Sequence, residues 1–133
     1  MIYLGDKAVG LAIKSNIKYN EFTPQEDLTE YTIDAGQNIS LLIIELKIAT
    51  LISDKRNMAF IMARIENGEI VEIYGNSSNA TGTSWGSVGI WSKSNSTVLD
   101  AITKSGNFYT ITPGKAFNGA KFWADTTYQW YAI

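Results

Sequence analysis

The chain has 133 residues, 45% of them apolar, with 11 basic and 13 acidic residues and a formal net charge of −2. This length suits one domain, and this apolar content is enough to bury a core, which excludes a disordered chain. Histidine and cysteine are both absent, which excludes histidine bases, cysteine nucleophiles, Ser-His-Asp triads and disulfides. The basic residues form no stripe and the longest apolar run is interrupted by polar residues, so we expect neither a nucleic-acid partner nor a membrane span.

The first residues predict a short strand over 2–4, a turn at Gly5-Asp6-Lys7 and a second strand over 8–13. They lack the basic and apolar regions of a secretory signal peptide, so we expect no export by that route. Residues 14–27 are more polar and predict a linker or an irregular loop. Within them, a short helix over Pro24–Leu28 is an alternative, because Thr23 can cap it and proline suits the first helical position.

Segments rich in β-branched and aromatic residues follow at short intervals, separated by turn residues, which is typical of an all-β fold. They predict strands at 28–34, 39–49, 57–66, 69–75, 85–92, 97–103, 107–112 and 120–132. The segment Ile39–Ile52 also fits one face of a helix, but its β-branched content favours a strand. We therefore expect an antiparallel β-sandwich or jelly-roll-like domain over 28–133, preceded by a short N-terminal hairpin or arm over 1–13.

Turn residues mark the connections between these strands. Asn67-Gly68, placed between two apolar strands, predicts a type I′ hairpin turn, because both residues tolerate a positive φ. Further turns are predicted at 35–38, 105–107 and 112–114. The stretch 75–89 is rich in glycine, serine, asparagine and threonine and predicts a long exposed loop.

The last predicted strand, 120–132, is apolar on both of its alternating faces. A strand that is apolar on both faces is buried on both. The pattern therefore predicts either the central strand of a sandwich or an oligomer interface.

Carboxylates are the main remaining candidates for acid–base chemistry. Glu66, Glu69 and Glu72 cluster around the 67–68 turn, but their spacing gives no reason for one pKa to be raised and another to stay low, as a glycosidase needs. We interpret them as solvated hairpin charges and expect no enzymatic activity. Since no aspartate-rich loop resembles a calcium site, we also expect no metal and no cofactor.

Aromatic residues offer the best candidates for ligand binding. Trp85 and Trp91, with Asn76 and Asn79 beside them, could hold a sugar, because a flat ring stacks on the apolar face of the sugar and amides pair with its hydroxyls. The alternative is that the aromatic residues fill the core and subunit contacts, where large rings contribute most burial.

The opening sequence Ile2-Tyr3-Leu4-Gly5-Asp6-Lys7-Ala8-Val9-Gly10 resembles the start of small virion accessory proteins of tailed bacteriophages, of the head-fibre, decoration and tail-associated types. The resemblance covers about a tenth of the chain. The rest is similar in style to the β-rich modules of phage fibres, with polar loops and an aromatic last strand.

The resemblance implies a virion structural protein that is made in the host cytoplasm and anchored on the capsid or tail by its N-terminus. It also implies a homo-oligomer, commonly a trimer, with other virion proteins as partners and a host-surface glycan as a further candidate partner. The residues to which the anchor role carries over are Ile2, Tyr3, Leu4, Gly5 and Val9. Because the chain lacks a long repetitive shaft, a compact decoration or short head-fibre role is expected, with a carbohydrate-binding module as the alternative.

Overall fold

The computed structural model describes residues 17–48, 55–79, 84–92 and 99–133, with the backbone alone for residues 79 and 84–92. These residues include β-strands and a single-turn helix. The strands are β1 (Lys18–Phe22), β2 (Tyr31–Asp34), β3 (Leu41–Ile48), β4 (Arg56–Glu66), β5 (Glu69–Asn79), β6 (Ser84–Ser92), β7 (Ile102–Ser105), β8 (Phe108–Ile111) and β9 (Thr127–Ala132). The helix, α1, is Pro113–Ala116.

Two antiparallel sheets pack face to face. The first has six strands in the order β1-β9-β3-β4-β5-β6, and the second has three in the order β2-β8-β7. Alternate residues of both sheets meet in one core, because each strand turns every second side chain inward. The core takes Leu42, Ile44, Ile61, Ala63, Ile73, Tyr128 and Trp130 from the first sheet and Ile33, Ile102, Tyr109 and Ile111 from the second. The predicted antiparallel β-sandwich is confirmed.

The last strand, β9, lies inside the six-stranded sheet. It pairs with β1 on one side and with β3 on the other, so that Trp130 lies opposite both Asn20 and Ile44. Its side chains alternate between buried and half-buried. Of the two roles predicted for this segment, the structure shows the central strand of a sandwich. The strand is shorter than predicted, since residues 120–126 form turns and an isolated bridge between Phe122 and Leu28.

The predicted tight turns have the backbone conformations that their residues favour. Asn67 and Gly68 have φ values of 51° and 77°, as a type I′ turn requires. Gly36 and Asn38 in the β2–β3 connection and Gly106 in the β7–β8 connection also have positive φ. All three connections lie at the end of the sandwich where β1 and β3 begin, and we call this the turn end. The opposite end, where β5 ends and β6 begins, we call the hairpin end.

Some local predictions were wrong. Residues 18–22, predicted within a linker or irregular loop, form β1, because their backbone completes the edge of the six-stranded sheet against β9. Pro24–Leu28 shows bends and an isolated bridge and no helix. The turn predicted at 112–114 is instead the start of α1, with proline at the first helical position.

The predicted long loop at 75–89 was also wrong. The strands β5 and β6 extend through most of it and pair from Glu72 opposite Ser92 to Ser78 opposite Ser84. Polar residues and glycines predicted a loop, but here they continue a hairpin, because sheet pairing overrides weak strand propensity. The predicted strands at 2–4 and 8–13, and with them the 1–13 arm, lie outside the described residues.

Gly75 shows how closely the sheet and the α1 region pack. A Cβ atom at Gly75 would lie 2.9 Å from Cζ of Phe117 and 3.2 Å from the carbonyl oxygen of Phe60. Phe117 follows α1 directly and is 3% exposed. Glycine is therefore required here for space, because the ring of Phe117 occupies the volume of any side chain.

We expect Gly75→Ala to lower the free energy of unfolding by about 1–3 kcal/mol, because overpacking displaces the Phe117 ring or the β4 backbone. Urea unfolding of the wild type, Gly75→Ala, Phe117→Leu and the double variant completes a double-mutant cycle. The Gly75→Ala substitution should lower the free energy of unfolding by less in the Phe117→Leu background, because leucine lacks the ring. An equal cost in both backgrounds would show that the ring is not the obstacle.

Candidate functional site

Two of the three carboxylates considered for catalysis are bound by one arginine. Arg64 on β4 binds Glu66 through one terminal nitrogen and Glu72 through the other, the latter at 2.9 Å. The hydrogen bond from Arg64, joined by one from the Tyr74 hydroxyl, lowers the pKa of Glu72. A general acid needs a raised pKa, so this geometry favours structural ion pairing over acid–base catalysis.

The outer face of the six-stranded sheet carries an apolar row. Cross-strand register places five half-buried or exposed side chains side by side, one on each of five neighbouring strands. In sheet order this outer apolar row is Tyr19, Tyr131, Ile43, Met62 and Tyr74. The rings of the first two are 5.0 Å apart.

Polar groups close both ends of this row in the same way. At one end the Tyr19 hydroxyl donates to Glu21, which also accepts a hydrogen bond from Lys47 at 2.6 Å. At the other end the Tyr74 hydroxyl donates to Glu72, which binds Arg64. In both places the cation lowers the pKa of the carboxylate. The outer face is therefore amphipathic rather than a bare apolar patch.

The residues predicted to bind a glycan do not all come together. Asn79 ends β5 and Trp85 is the second residue of β6, so both lie at the hairpin end, beside the pair Ser78 and Ser84. Trp91 is opposite Ile73, six residues along β6 from Trp85, which is about 20 Å at the rise of a strand. The two tryptophans are thus near opposite ends of β6.

Asn76, the fourth member of that set, lies mid-strand. It pairs with Phe60 and Val88, and its side-chain oxygen is buried without a hydrogen-bond partner among the described residues. The Oγ atoms of Ser77 and Ser78 are in the same situation. Asn76 as a whole is half-buried, and its partner Val88 lies midway along β6 between Trp85 and Trp91.

A buried tyrosine hydroxyl links three parts of the chain near the hairpin end. The Tyr128 hydroxyl donates to Oδ1 of Asn57 at 2.9 Å and accepts the backbone N–H of Trp123 at 2.9 Å. The indole N–H of Trp123 donates to the carbonyl oxygen of Arg56 at 2.6 Å. Both Tyr128 and Asn57 are fully buried. Burial raises the pKa of Tyr128 to about 12, so the phenol is neutral and binds both partners at neutral pH.

At the turn end, the three tight connections enclose a cavity of about 250 Å³. Its polar lining consists of Gln37, Asn38, Lys104, Asn107 and Tyr109, with Ile39 and Ile65 as the apolar part. We call this the turn-end cavity. A second cavity of about 330 Å³ adjoins it and shares Gly68 and Lys104 with it.

The turns around this cavity were predicted from the sequence, but the cavity itself was not. Gly36, Gly68 and Gly106 are recognisable as turn residues in the sequence. A turn motif does not indicate, however, that three turns distant in the chain lie side by side. Tyr109 gave no signal beyond that of a core aromatic residue. Gln37, Asn38 and Asn107 are polar residues beside predicted turns, but the sequence does not show that they lie close together.

The anchor candidates Ile2, Tyr3, Leu4, Gly5 and Val9 lie outside the described residues. The chain reaches the sandwich at Ile17, just before β1. Since Lys18 pairs with Ala132 at the end of β9, the chain joins the sheet at the turn end.

Within the described part of the chain, no group of three or more histidine, cysteine, aspartate or glutamate residues is arranged to hold a metal ion. None of the helices found there has the length and apolar character needed to cross a membrane. Comparison with known protein families, with curated proteins and with solved structures finds no match to this chain.

The Tyr128 network predicts a specific alkaline instability. Folding favours the neutral phenol, since its pKa rises from 10.0 to about 12 in the folded protein. This contribution to the free energy of unfolding is fully present below about pH 10 and is lost as the pH rises through about 12. We expect Tyr128→Phe to cost about 1–3 kcal/mol at pH 7, because it leaves Asn57 Oδ1 and the Trp123 N–H without this partner.

Chemical unfolding of both proteins at neutral pH and between about pH 10 and 12 measures the effect. The difference between wild type and Tyr128→Phe should shrink across the alkaline range, because the phenylalanine cannot ionise. A constant difference would show that Tyr128 does not titrate in the folded protein as its burial requires.

Proposed function

We propose that this chain is a non-enzymatic structural protein of a bacteriophage virion, either a capsid decoration protein or a head-fibre or tail accessory protein. Its partners are other virion proteins and further copies of itself, and its location is the virion, after synthesis in the host cytoplasm. The N-terminal residues 1–13 anchor it. The support is the resemblance of the opening sequence, joined to the way in which that segment is attached to the sandwich.

The position of β1 carries the proposal. This strand is at the edge of the six-stranded sheet, and among the described strands it pairs with β9 alone. A segment attached to an edge strand can bind another protein without breaking the pairing of the sheet it leaves. We expect the sandwich to stay folded when the contacts of residues 1–13 change, because β9 and β3 supply side chains to its core.

The chemistry of the side chains supports a structural role. The whole sequence lacks histidine and cysteine, and Arg64 holds Glu66 and Glu72 in ion pairs. The hydrogen bond from Arg64 lowers the pKa of Glu72, the opposite of what a glycosidase acid needs.

The genes beside this one provide an independent test. Genes for a capsid and a portal protein next to it would support the proposal. A neighbourhood of metabolic genes, on a chromosome without phage genes, would contradict it.

The anchor is tested in full-length protein with the double substitution Ile2→Ser and Leu4→Ser. We expect incorporation into particles to fall more than tenfold, because two apolar contacts worth about 1.5–3 kcal/mol each are removed. Immunoblots of purified particles measure incorporation, and the melting temperature of the purified protein should not change.

The matched control replaces two exposed isoleucines of the sandwich, Ile17→Ser and Ile48→Ser, whose exposed fractions are 40% and 60%. This variant should be incorporated like the wild type. Equal incorporation of all three proteins would refute the anchor.

A carbohydrate-binding module is the second candidate. The observation in its favour is that Asn79 and Trp85 both belong to the hairpin end, where β5 ends and β6 begins. Ends of β-sandwiches commonly carry binding residues, since connections between strands tolerate variation that the strands do not. The hairpin end is also opposite the end at which the anchor segment joins β1, so it would face away from the particle.

We expect Trp85→Ala to reduce binding on a glycan array about tenfold or more, because stacking of an aromatic ring on the sugar is lost. The control is Trp91→Ala, at the other end of β6, which should retain the signal. Circular dichroism confirms that each variant is folded. Absence of any glycan signal for the wild type at millimolar concentration would remove this candidate.

A further inference from the structure

We propose that the turn-end cavity binds an acidic sugar, with Lys104 pairing with its carboxylate and the surrounding amides binding its hydroxyls. This site is separate from the residues considered at the hairpin end, and it does not depend on the virion proposal. It is carried by unpartnered polar groups, by a fixed backbone and by the distribution of charge around the cavity.

Several polar groups that line this cavity have no hydrogen-bond partner among the described residues. Tyr109 is 1% exposed, and its hydroxyl forms no hydrogen bond to any described residue. Burial raises its pKa, so the hydroxyl stays protonated and can donate. Lys104 makes no ion pair in the described part of the chain, and its ammonium lies 5.9 Å from the centre of the Tyr109 ring. A hydroxyl in the cavity wall and a neighbouring ammonium group, neither of them hydrogen-bonded to a described residue, can both be partnered by a polar ligand.

The amides match the hydroxyls of a sugar. The side chains of Gln37, Asn38 and Asn107 each carry both a donor and an acceptor, and no hydrogen bond from these side chains to a described residue is present. Sugar hydroxyls also donate and accept, so an amide pairs with them in either direction. Phosphate sites are built differently, from several cations or a row of backbone N–H groups.

The backbone that carries these groups is fixed. Gly36, Asn38 and Gly106 have positive φ values of 82°, 56° and 61°, which few residues adopt outside tight turns. The pairing of β2 with β8 holds two of these turns together, since the N–H of Ala35 donates to the carbonyl oxygen of Asn107 at 2.9 Å. A site held in this way loses little conformational entropy on binding.

Charge determines which sugar fits. Lys104 is the one charged residue in the described lining of the turn-end cavity, whereas Glu69 and Asp100 line the adjoining cavity. A ligand carboxylate in the turn-end cavity is therefore attracted to Lys104, whereas in the adjoining cavity the carboxylates of Glu69 and Asp100 repel it. The volume of about 250 Å³ is near the lower end of ligand sites and suits a single sugar ring.

The test uses the purified full-length chain, with sodium glucuronate as the probe and glucose as its neutral analogue. Saturation-transfer NMR and calorimetry should detect glucuronate binding in the millimolar range, with weaker binding of glucose. Lys104→Met should weaken glucuronate binding about tenfold, because a charge-assisted hydrogen bond is lost. Tyr109→Phe should weaken binding of both sugars.

The matched control is Lys115→Met on α1, which removes the same charge from another exposed lysine and should bind glucuronate like the wild type. Equal affinity of the wild type and Lys104→Met for glucuronate would overturn the proposal. Equal affinity of the wild type for glucose and glucuronate would also overturn the proposal, as would the absence of any glucuronate binding. Trp85→Ala should not affect this site, so a loss confined to that variant would also place the sugar elsewhere.

Discussion

The structure depends on the insertion of β9 between β1 and β3. The strand that comes last in the sequence joins the first described strand to the β3–β6 meander, and without it β1 has no partner among the described strands. This pairing closes a loop of more than a hundred residues, whose entropy cost rises only slowly with length. This entropy cost is offset by the burial of Tyr128, Trp130 and Ala132 between the sheets.

The insertion of β9 also gives the sandwich two different ends. Because β9 is antiparallel to both β1 and β3, those two strands begin at the same end, and the turns at Gly36–Asn38, Asn67–Gly68 and Gly106–Asn107 meet there. The chain enters from residues 1–16 at this end too. The opposite end holds the β5–β6 hairpin and the Tyr128 network. The proposed anchor and the turn-end cavity are therefore both at the turn end. Of the tryptophans predicted to bind a glycan, Trp91 lies toward the turn end and Trp85 lies at the hairpin end.

Much of the fold could be predicted because its signals are local. Asn67-Gly68 specified a type I′ turn through the conformations open to those two residues, and the β-branched content of residues 41–48 favoured β3 over a helix. Predictions were wrong where pairing decided the conformation. Residues 18–22 are too polar to be predicted as a strand, and the stretch 75–89 is too rich in glycine and serine. Residues 18–22 nevertheless pair along the sheet, as do residues of β5 and β6 within that stretch, and the sheet supplies their backbone hydrogen bonds.

The sequence by itself determined the fold class, the tight turns and the absence of histidine and cysteine chemistry, because each follows from the residue types and their near neighbours. Only the tertiary structure decided which residues meet. Arg64 joins Glu66 and Glu72 through strand register, and the Tyr128 hydroxyl reaches Asn57 across 71 positions of the chain. Lys104 and Tyr109 come to line one cavity with Gln37 and Asn38. These contacts depend on how two sheets stack and in what order their strands pair, and neither is encoded in any short stretch of sequence.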